Sequence, residues 1–162
     1  MINKTFKTER SRFILRLDDF NSVLPEDDIK EMGNVVIYDV ALSNEGTIAE
    51  NDKADTKAFN DICNYLVSFL KDNPETILYF YCDDRNKPPR QRNRAETMSM
   101  QRFRSKLFHS FYMRYVKDKS SIIEHIIKIE GDREIYIHLI YPSVIRNKAE
   151  IIKSVISDQA EK

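Results

Sequence analysis

The residues most able to do chemistry lie in one basic segment. Between positions 85 and 106 the only acid is Glu96. Arginine and lysine side chains held in place contact phosphates without reading a base sequence. The segment therefore predicts binding of an acidic partner, either a nucleic acid or an acidic protein, and the alternative is a solvated surface that binds nothing. The predicted contact residues are Arg85, Lys87, Arg90, Arg92, Arg94, Arg102 and Lys106.

Charge is distributed unevenly along the chain, although the net charge is zero. Residues 85–119 carry 11 basic and 2 acidic side chains, whereas residues 1–75 carry 9 basic and 15 acidic ones. Such asymmetry indicates an acidic partner for the basic stretch. The acidic half of the same chain is an equally good candidate for that partner.

Arg104 differs from its basic neighbours because it falls inside an apolar arc of a predicted helix. At about 100° per residue, Arg102, Lys106 and His109 project together on the other side, as ordinary solvent-facing charges. A guanidinium facing a core needs a carboxylate, and Asp83 or Asp84 follows the nearest strand. We predict a structural ion pair between one of these aspartates and Arg104. The arc consists of Met100, Phe103, Leu107, Phe108, Phe111, Tyr112 and Tyr115.

A catalytic alternative places an enzyme site at the end of the same strand, where Cys82, Asp83 and Arg104 would converge. The support for this alternative is the position of these residues, because the ends of strands in layered proteins often carry functional residues. No histidine has a recognisable spacing to Cys82. The chain has three glycines, at positions 33, 46 and 131, too far apart to form a phosphate-binding loop. We predict no cofactor and favour a domain that is not an enzyme.

Two histidines form a further candidate site. If Gly131 and Asp132 form a two-residue turn, His125 lies directly opposite His138 on one face of a hairpin. Two imidazoles could ligate zinc, but a protein zinc site needs three or four ligands and no third is apparent. A half-exposed cross-strand pair is the preferred interpretation.

The elements that position these residues follow from hydrophobic periodicity. Helices are predicted at about 52–73, 93–116 and 143–157, where apolar residues recur every three to four positions. The apolar run 77–82 predicts a central strand covered on both faces. We predict an α+β fold in which a mixed, mainly antiparallel sheet of five or six strands packs with three helices, in the order β-β-(β)-α-β-α-β-β-α.

A strand ending in Tyr81-Cys82-Asp83, a basic loop, and then Arg104-x-x-x-Phe108-x-x-Phe111-Tyr112 resembles small proteins of an uncharacterised Bacteroidetes domain-of-unknown-function group. The run from Ile135 to Ile140 with the helix after it also resembles the end of that group's proteins. The resemblance implies a compact α+β domain of bacterial origin and implies no activity. This sequence departs from the group's pattern at Phe111, where the group is expected to have tryptophan.

Length and composition complete the expectations. A chain of 162 residues fits one domain, here 1–162 with an exposed basic loop at 83–93. No apolar run reaches the roughly 18 residues that cross a bilayer, and the first residues lack the apolar core of a secretory signal. We therefore expect a cytoplasmic protein that binds no membrane. Its many tyrosines and phenylalanines permit self-association without requiring it.

Overall fold

The computed structural model describes residues 1–9, 12–45, 56–82, 100–130 and 135–160. Within these ranges six strands form one mixed sheet, and four α-helices pack against it. The predicted α+β class is confirmed, with one helix more than the three expected. The strands are β1 (Ile2–Lys7), β2 (Arg12–Asp19), β3 (Val36–Glu45), β4 (Thr76–Cys82), β5 (Ile122–Ile129) and β6 (Ile135–Pro142). The helices are α1 (Glu26–Met32), α2 (Thr56–Asp72), α3 (Met100–Tyr115) and α4 (Arg146–Ala160).

The sheet has the order β1-β2-β3-β4-β6-β5 and is mainly antiparallel, as predicted. Its one parallel pair joins β3 to β4, and α2 lies between these two strands along the chain. The predicted central strand is β4, which lies between β3 and β6. Its side chains are buried except at Tyr81, as expected for a strand with both faces covered.

Helices cover both faces of the sheet. On one face, called here the α2–α3 face, those two helices pack on a core that includes Leu15, Leu17, Leu78 and Phe80. The predicted apolar stripe of α2 is confirmed, since its members are buried or partly buried. They are Ala58, Phe59, Ile62, Cys63, Leu66, Phe69 and Leu70.

The opposite face, called the α1–α4 face, holds a second core under α4. Ile145, Ala149 and Ile152 are buried there, which confirms the spacing predicted for the last helix. A turn of 3-10 helix, Ser143–Ile145, leads into α4 directly after Pro142 ends β6. The alternating residues Ile77 and Tyr79 of β4 belong to this second core.

Helix α1 is not among the three helices predicted from the sequence. Pro25 precedes the helix in an extended conformation, and three acids occupy the first turn, where the helix dipole favours negative charge. Gly33 ends it at φ 61°, a left-handed conformation that glycine adopts at little cost. These are ordinary helix boundary signals around a helix of only seven residues.

Candidate functional site

The basic segment is attached at one end of the sheet. Arg12 pairs with Glu45, Cys82 pairs with Tyr136 and Ile129 pairs with Ile135, so β3 and β4 both end there. Residues 10–11, 46–55, 83–99 and 131–134, which lie outside the described residues, all join the described strands at this end. The carboxyl ends of parallel strands are where ligands bind in many open sheets.

Most of the predicted contact residues lie outside the described part of the chain. This applies to Asp83, Asp84 and the basic residues from Arg85 to Arg94. The backbone of α3 is described from Met100, but the side chains of Arg102 and Arg104 are not. The ion pair predicted for Arg104 therefore stays a prediction.

Helix α3 carries the described part of the basic stretch on its outward face. Lys106 and Arg114 are exposed there, and Lys117 is exposed just after the helix ends. Among the described residues, none of the three forms an ion pair. Lys119 has another role, because its Nζ donates to the carbonyl oxygens of Met113 and Val116 at 3.1 and 2.8 Å and so caps the helix.

The inward face of α3 contains a polar array that was not predicted from the sequence. Ser105 Oγ lies 2.7 Å from His138 Nε2, and His138 Nδ1 lies 3.2 Å from Glu124 Oε2. The other carboxylate oxygen of Glu124 lies 2.5 Å from His109 Nδ1. Because a carboxylate only accepts, His138 Nδ1–H donates to Glu124, and in the neutral ring Nε2 then accepts from the Ser105 hydroxyl. The array joins α3 to the β5–β6 hairpin.

The expectation for His109 was partly wrong. Its ring is half-exposed, at 48%, but it bonds to a carboxylate that is only 4% exposed. His109 thus closes the outer end of the array and is not an ordinary solvent-facing charge. The inward position of Ser105 could have been predicted from its spacing, since Ser105, Phe108 and Tyr112 follow an inward i, i+3, i+7 stripe.

The order Ser105, His138, Glu124 has the atom pairing of a serine hydrolase triad. Two features oppose catalysis. Ser105 is 7% exposed and His138 is 0% exposed, so substrate does not reach them. Ser105 also lies within α3, where its backbone N–H serves the helix and does not form an oxyanion hole. The array is therefore a buried hydrogen-bond network that fixes α3 on the sheet.

The predicted His125–His138 pair is wrong. Five residues, 130–134, separate the paired Ile129 and Ile135, and His125 lies opposite Leu139. A shift of one residue moves a side chain to the other face. His138 lies on the α2–α3 face, whereas His125 stacks on Tyr141 on the α1–α4 face, with ring centroids 5.5 Å apart. The described ranges contain no group of three or more potential metal ligands.

Cys82 is fully buried, and neither it nor Cys63 forms a disulfide. Burial raises the pKa of the Cys63 thiol to about 12, so that thiol stays protonated at neutral pH. A nucleophilic cysteine needs an accessible thiolate. The structure therefore places the two thiols in the core and gives no access to Cys82.

The α1–α4 face contains a cavity of about 330 Å³ between the sheet and the second half of α4. Its walls are aliphatic and aromatic, with the tyrosines Tyr79 and Tyr81 as the members that carry a polar group. Phe20 stacks on Tyr79 with centroids 4.7 Å apart. Asp39 lies opposite Tyr79 in the sheet, and burial, with a contribution from Asp18, raises the pKa of its carboxyl group.

Comparisons with known protein families, curated proteins and solved structures found no match to this chain. None of the helices in the described ranges has the length and apolar character needed to cross a membrane.

Proposed function

We propose that the protein is a non-enzymatic binding domain that engages an acidic partner through residues 85–106 and the outward face of α3. The observation that carries the proposal is the described part of that surface, where Lys106, Arg114 and Lys117 are all exposed. The segment before α3 adds five basic residues between positions 85 and 94. Together they form one basic stretch with few acids.

The geometry of α3 suits a polyanion better than a small anion. At 1.5 Å per residue, Lys106 and Arg114 are about 12 Å apart along the helix axis, so their charges are spread along the helix. Charges spread along an axis match a partner whose negative charges also repeat along its length. The phosphate backbone of a nucleic acid has this property, and an acidic protein surface is the other partner to be distinguished.

The buried array supports this role because it fixes the helix. Ser105 and His109 bond from the inner side of α3 to His138 and Glu124 of the hairpin. Phe111 and Tyr112 pack into the core beneath it. Side chains on a fixed helix lose less conformational entropy on binding than side chains on a free segment.

The proposal is tested with a triple variant, Arg90→Ala, Arg92→Ala and Arg94→Ala. Binding to fluorescein-labelled single- and double-stranded oligonucleotides is measured by anisotropy over a range of salt concentrations. Each lost phosphate contact lowers the slope of log K against log salt by about 0.9 on duplex DNA, so the variant should lose up to about 3 units of slope.

A matched control removes the same charge elsewhere. Lys7, Lys30 and Lys71 are exposed and lie on β1, α1 and α2, away from α3. The Lys→Ala triple variant at these positions should bind like the wild type. Equal affinities for the wild type and the arginine variant would contradict the proposal for nucleic acid. Affinity for polyglutamate with none for oligonucleotides would indicate an acidic protein instead.

The catalytic alternative at Cys82, Asp83 and Arg104 gains no support from the described residues. Cys82 is fully buried, and the other two side chains are not described. A cytoplasmic location and membership of the Bacteroidetes group remain part of the proposal. A cytoplasmic location agrees with an intracellular polyanion as the partner.

A further inference from the structure

The cavity on the α1–α4 face lies on the side of the sheet opposite α3 and takes no part in the proposed function. Its volume of about 330 Å³ is near the lower end of the range for pockets that hold small molecules, which is about 300–1,000 Å³. The buried side chains of Ile37, Ile137 and Ile152 are among its walls. A pocket of this size and lining suits one small molecule with an apolar carbon skeleton.

Tyr79 brings a polar atom to this apolar wall. The residue lies in the central strand β4, lines the cavity and is 8% exposed. Within the described parts of the chain, its hydroxyl group has no hydrogen-bond partner. A buried hydroxyl without a partner costs free energy, which a polar group of a bound molecule would recover. The Tyr79 hydroxyl is therefore a group that a ligand can satisfy.

Two aspartates lie beside Tyr79 on the cavity face of the sheet. Asp39 is the partner of Tyr79 in the parallel pair of β3 and β4, and Asp18 is the partner of Asp39 in the pair of β2 and β3. Because Ile37 packs in the core of the α1–α4 face and side chains alternate along a strand, Asp39 lies on the same face. Adjacent strands are about 4.8 Å apart, so the Asp39 side chain is a direct neighbour of Tyr79.

The two carboxylates form an unfavourable arrangement in the fold. Like charges directly opposite each other in a sheet are destabilising, and burial of Asp39 adds to this cost. Among the described groups that act on Asp39, Arg16 carries the positive charge, and its contact with Asp18 at 4.0 Å is an exposed one. One guanidinium thus offsets two carboxylates. Residues that weaken the fold next to a pocket are characteristic of a binding site.

We propose that the cavity binds a small organic amine, with its carbon skeleton against the apolar wall and its ammonium group beside Asp39 and the Tyr79 hydroxyl. An ammonium group donates to a carboxylate and to a phenolic oxygen, so it supplies both groups with a partner. The rings of Phe20 and Tyr79, which stack with centroids 4.7 Å apart, add attraction for a cation. An anion of the same size would meet the two carboxylates and is disfavoured.

Three probes of similar size separate the effect of charge from that of apolar contact. They are 3-phenylpropylamine, 3-phenylpropan-1-ol and 3-phenylpropanoate, which at pH 7 are a cation, a neutral molecule and an anion. Their dissociation constants are measured by NMR titration of the full chain. We expect the amine to bind with a Kd below about 1 mM and about tenfold more tightly than the alcohol. The carboxylate should bind more weakly than the alcohol, and the backbone amides that shift with the amine should include those of Tyr79 and Ile152.

Asp39→Asn removes the charge and keeps the shape of the side chain. It should weaken binding of the amine about tenfold and leave binding of the alcohol unchanged. The variant should fold, because the charge of Asp39 destabilises the folded chain at pH 7. Lower affinity together with higher stability distinguishes a binding group from a structural one. Asp72→Asn is the matched control and should bind like the wild type, because Asp72 is exposed at the end of α2 on the other face.

Val155→Phe tests the cavity itself. Val155 lines the cavity from α4, so a larger ring at this position occupies part of the space and should weaken binding of the amine and the alcohol together. A circular dichroism spectrum like that of the wild type shows that the variant folds. A wild-type chain that binds none of the probes, or binds all three equally, would overturn the inference. Unchanged affinity for the amine in Asp39→Asn or in folded Val155→Phe would do the same.

Discussion

Replacing Ser105 by alanine tests whether the buried array fixes α3 on the sheet. The substitution removes the hydroxyl that lies 2.7 Å from His138 Nε2 and leaves that nitrogen without a partner at a ring that is 0% exposed. An unsatisfied buried polar group costs about 1–3 kcal/mol. Alanine also favours a helix interior by about half a kcal/mol over serine, and this gain partly hides the loss.

Ser110→Ala separates the two effects. Ser110 lies on the same helix and is exposed, so its replacement brings the same gain in helix propensity without breaking a described hydrogen bond. The free energy of unfolding of the Ser105→Ala variant should therefore be about 1–3 kcal/mol lower than that of Ser110→Ala. With an m-value of roughly 2 kcal/mol/M, the urea midpoints should differ by roughly 0.5–1.5 M.

Urea unfolding followed by circular dichroism measures both midpoints under identical conditions. His109→Ala, at the half-exposed end of the array, should lower the midpoint less than Ser105→Ala, because water can replace a partner there. Equal midpoints for the two serine variants would refute the view that the array holds α3 in place.

Three further predictions concern the ionisable groups. Cys63 and Cys82 should not react with a thiol reagent at pH 8 until the chain is unfolded in guanidinium, and fast reaction of Cys82 would reopen the catalytic alternative. Burial, and to a smaller extent the charge of Lys153, lowers the pKa of His125 in the folded chain. The unfolded chain therefore binds a proton at this site more readily than the folded chain does. The free energy of unfolding should fall as the pH drops below about 6.5. Urea midpoints at pH 7.5 and 5.5 should show a smaller fall for His125→Gln than for the wild type, and an identical fall would show that His125 is not the cause. Burial and the neighbouring Asp18 carboxylate raise the pKa of Asp39, so the charged form of Asp39 should destabilise the fold above pH 3.8. Asp39→Asn should therefore raise the urea midpoint at pH 7, and this difference should disappear near pH 3.

The fold could be predicted where local periodicity and burial agree. The stripe of α2 and the apolar run of β4 each identify their element without reference to the rest of the chain. Helix α1 was missed because seven residues give too little periodicity to outweigh an acidic, turn-like composition. Its proline and first-turn acids were the available signal.

The buried array could not be predicted because it depends on a register and on three elements distant in sequence. Ser105 comes from α3, Glu124 from β5 and His138 from β6. The pairing assumed for a two-residue turn is one residue away from the pairing observed, and that single step places His125 and His138 on opposite faces. A lone serine on a helix or a lone glutamate on a strand has no spacing that marks it as part of a network.

The central claim is that the outward face of α3 binds a polyanion, and the described residues allow it to be tested without touching the basic loop. The measurement compares the salt dependence of oligonucleotide affinity for the wild type with that of the double variant Lys106→Ala and Arg114→Ala. If both side chains contact phosphates, the slope of log K against log salt should fall by about 2 units on duplex DNA. Identical slopes for the two proteins would contradict the claim.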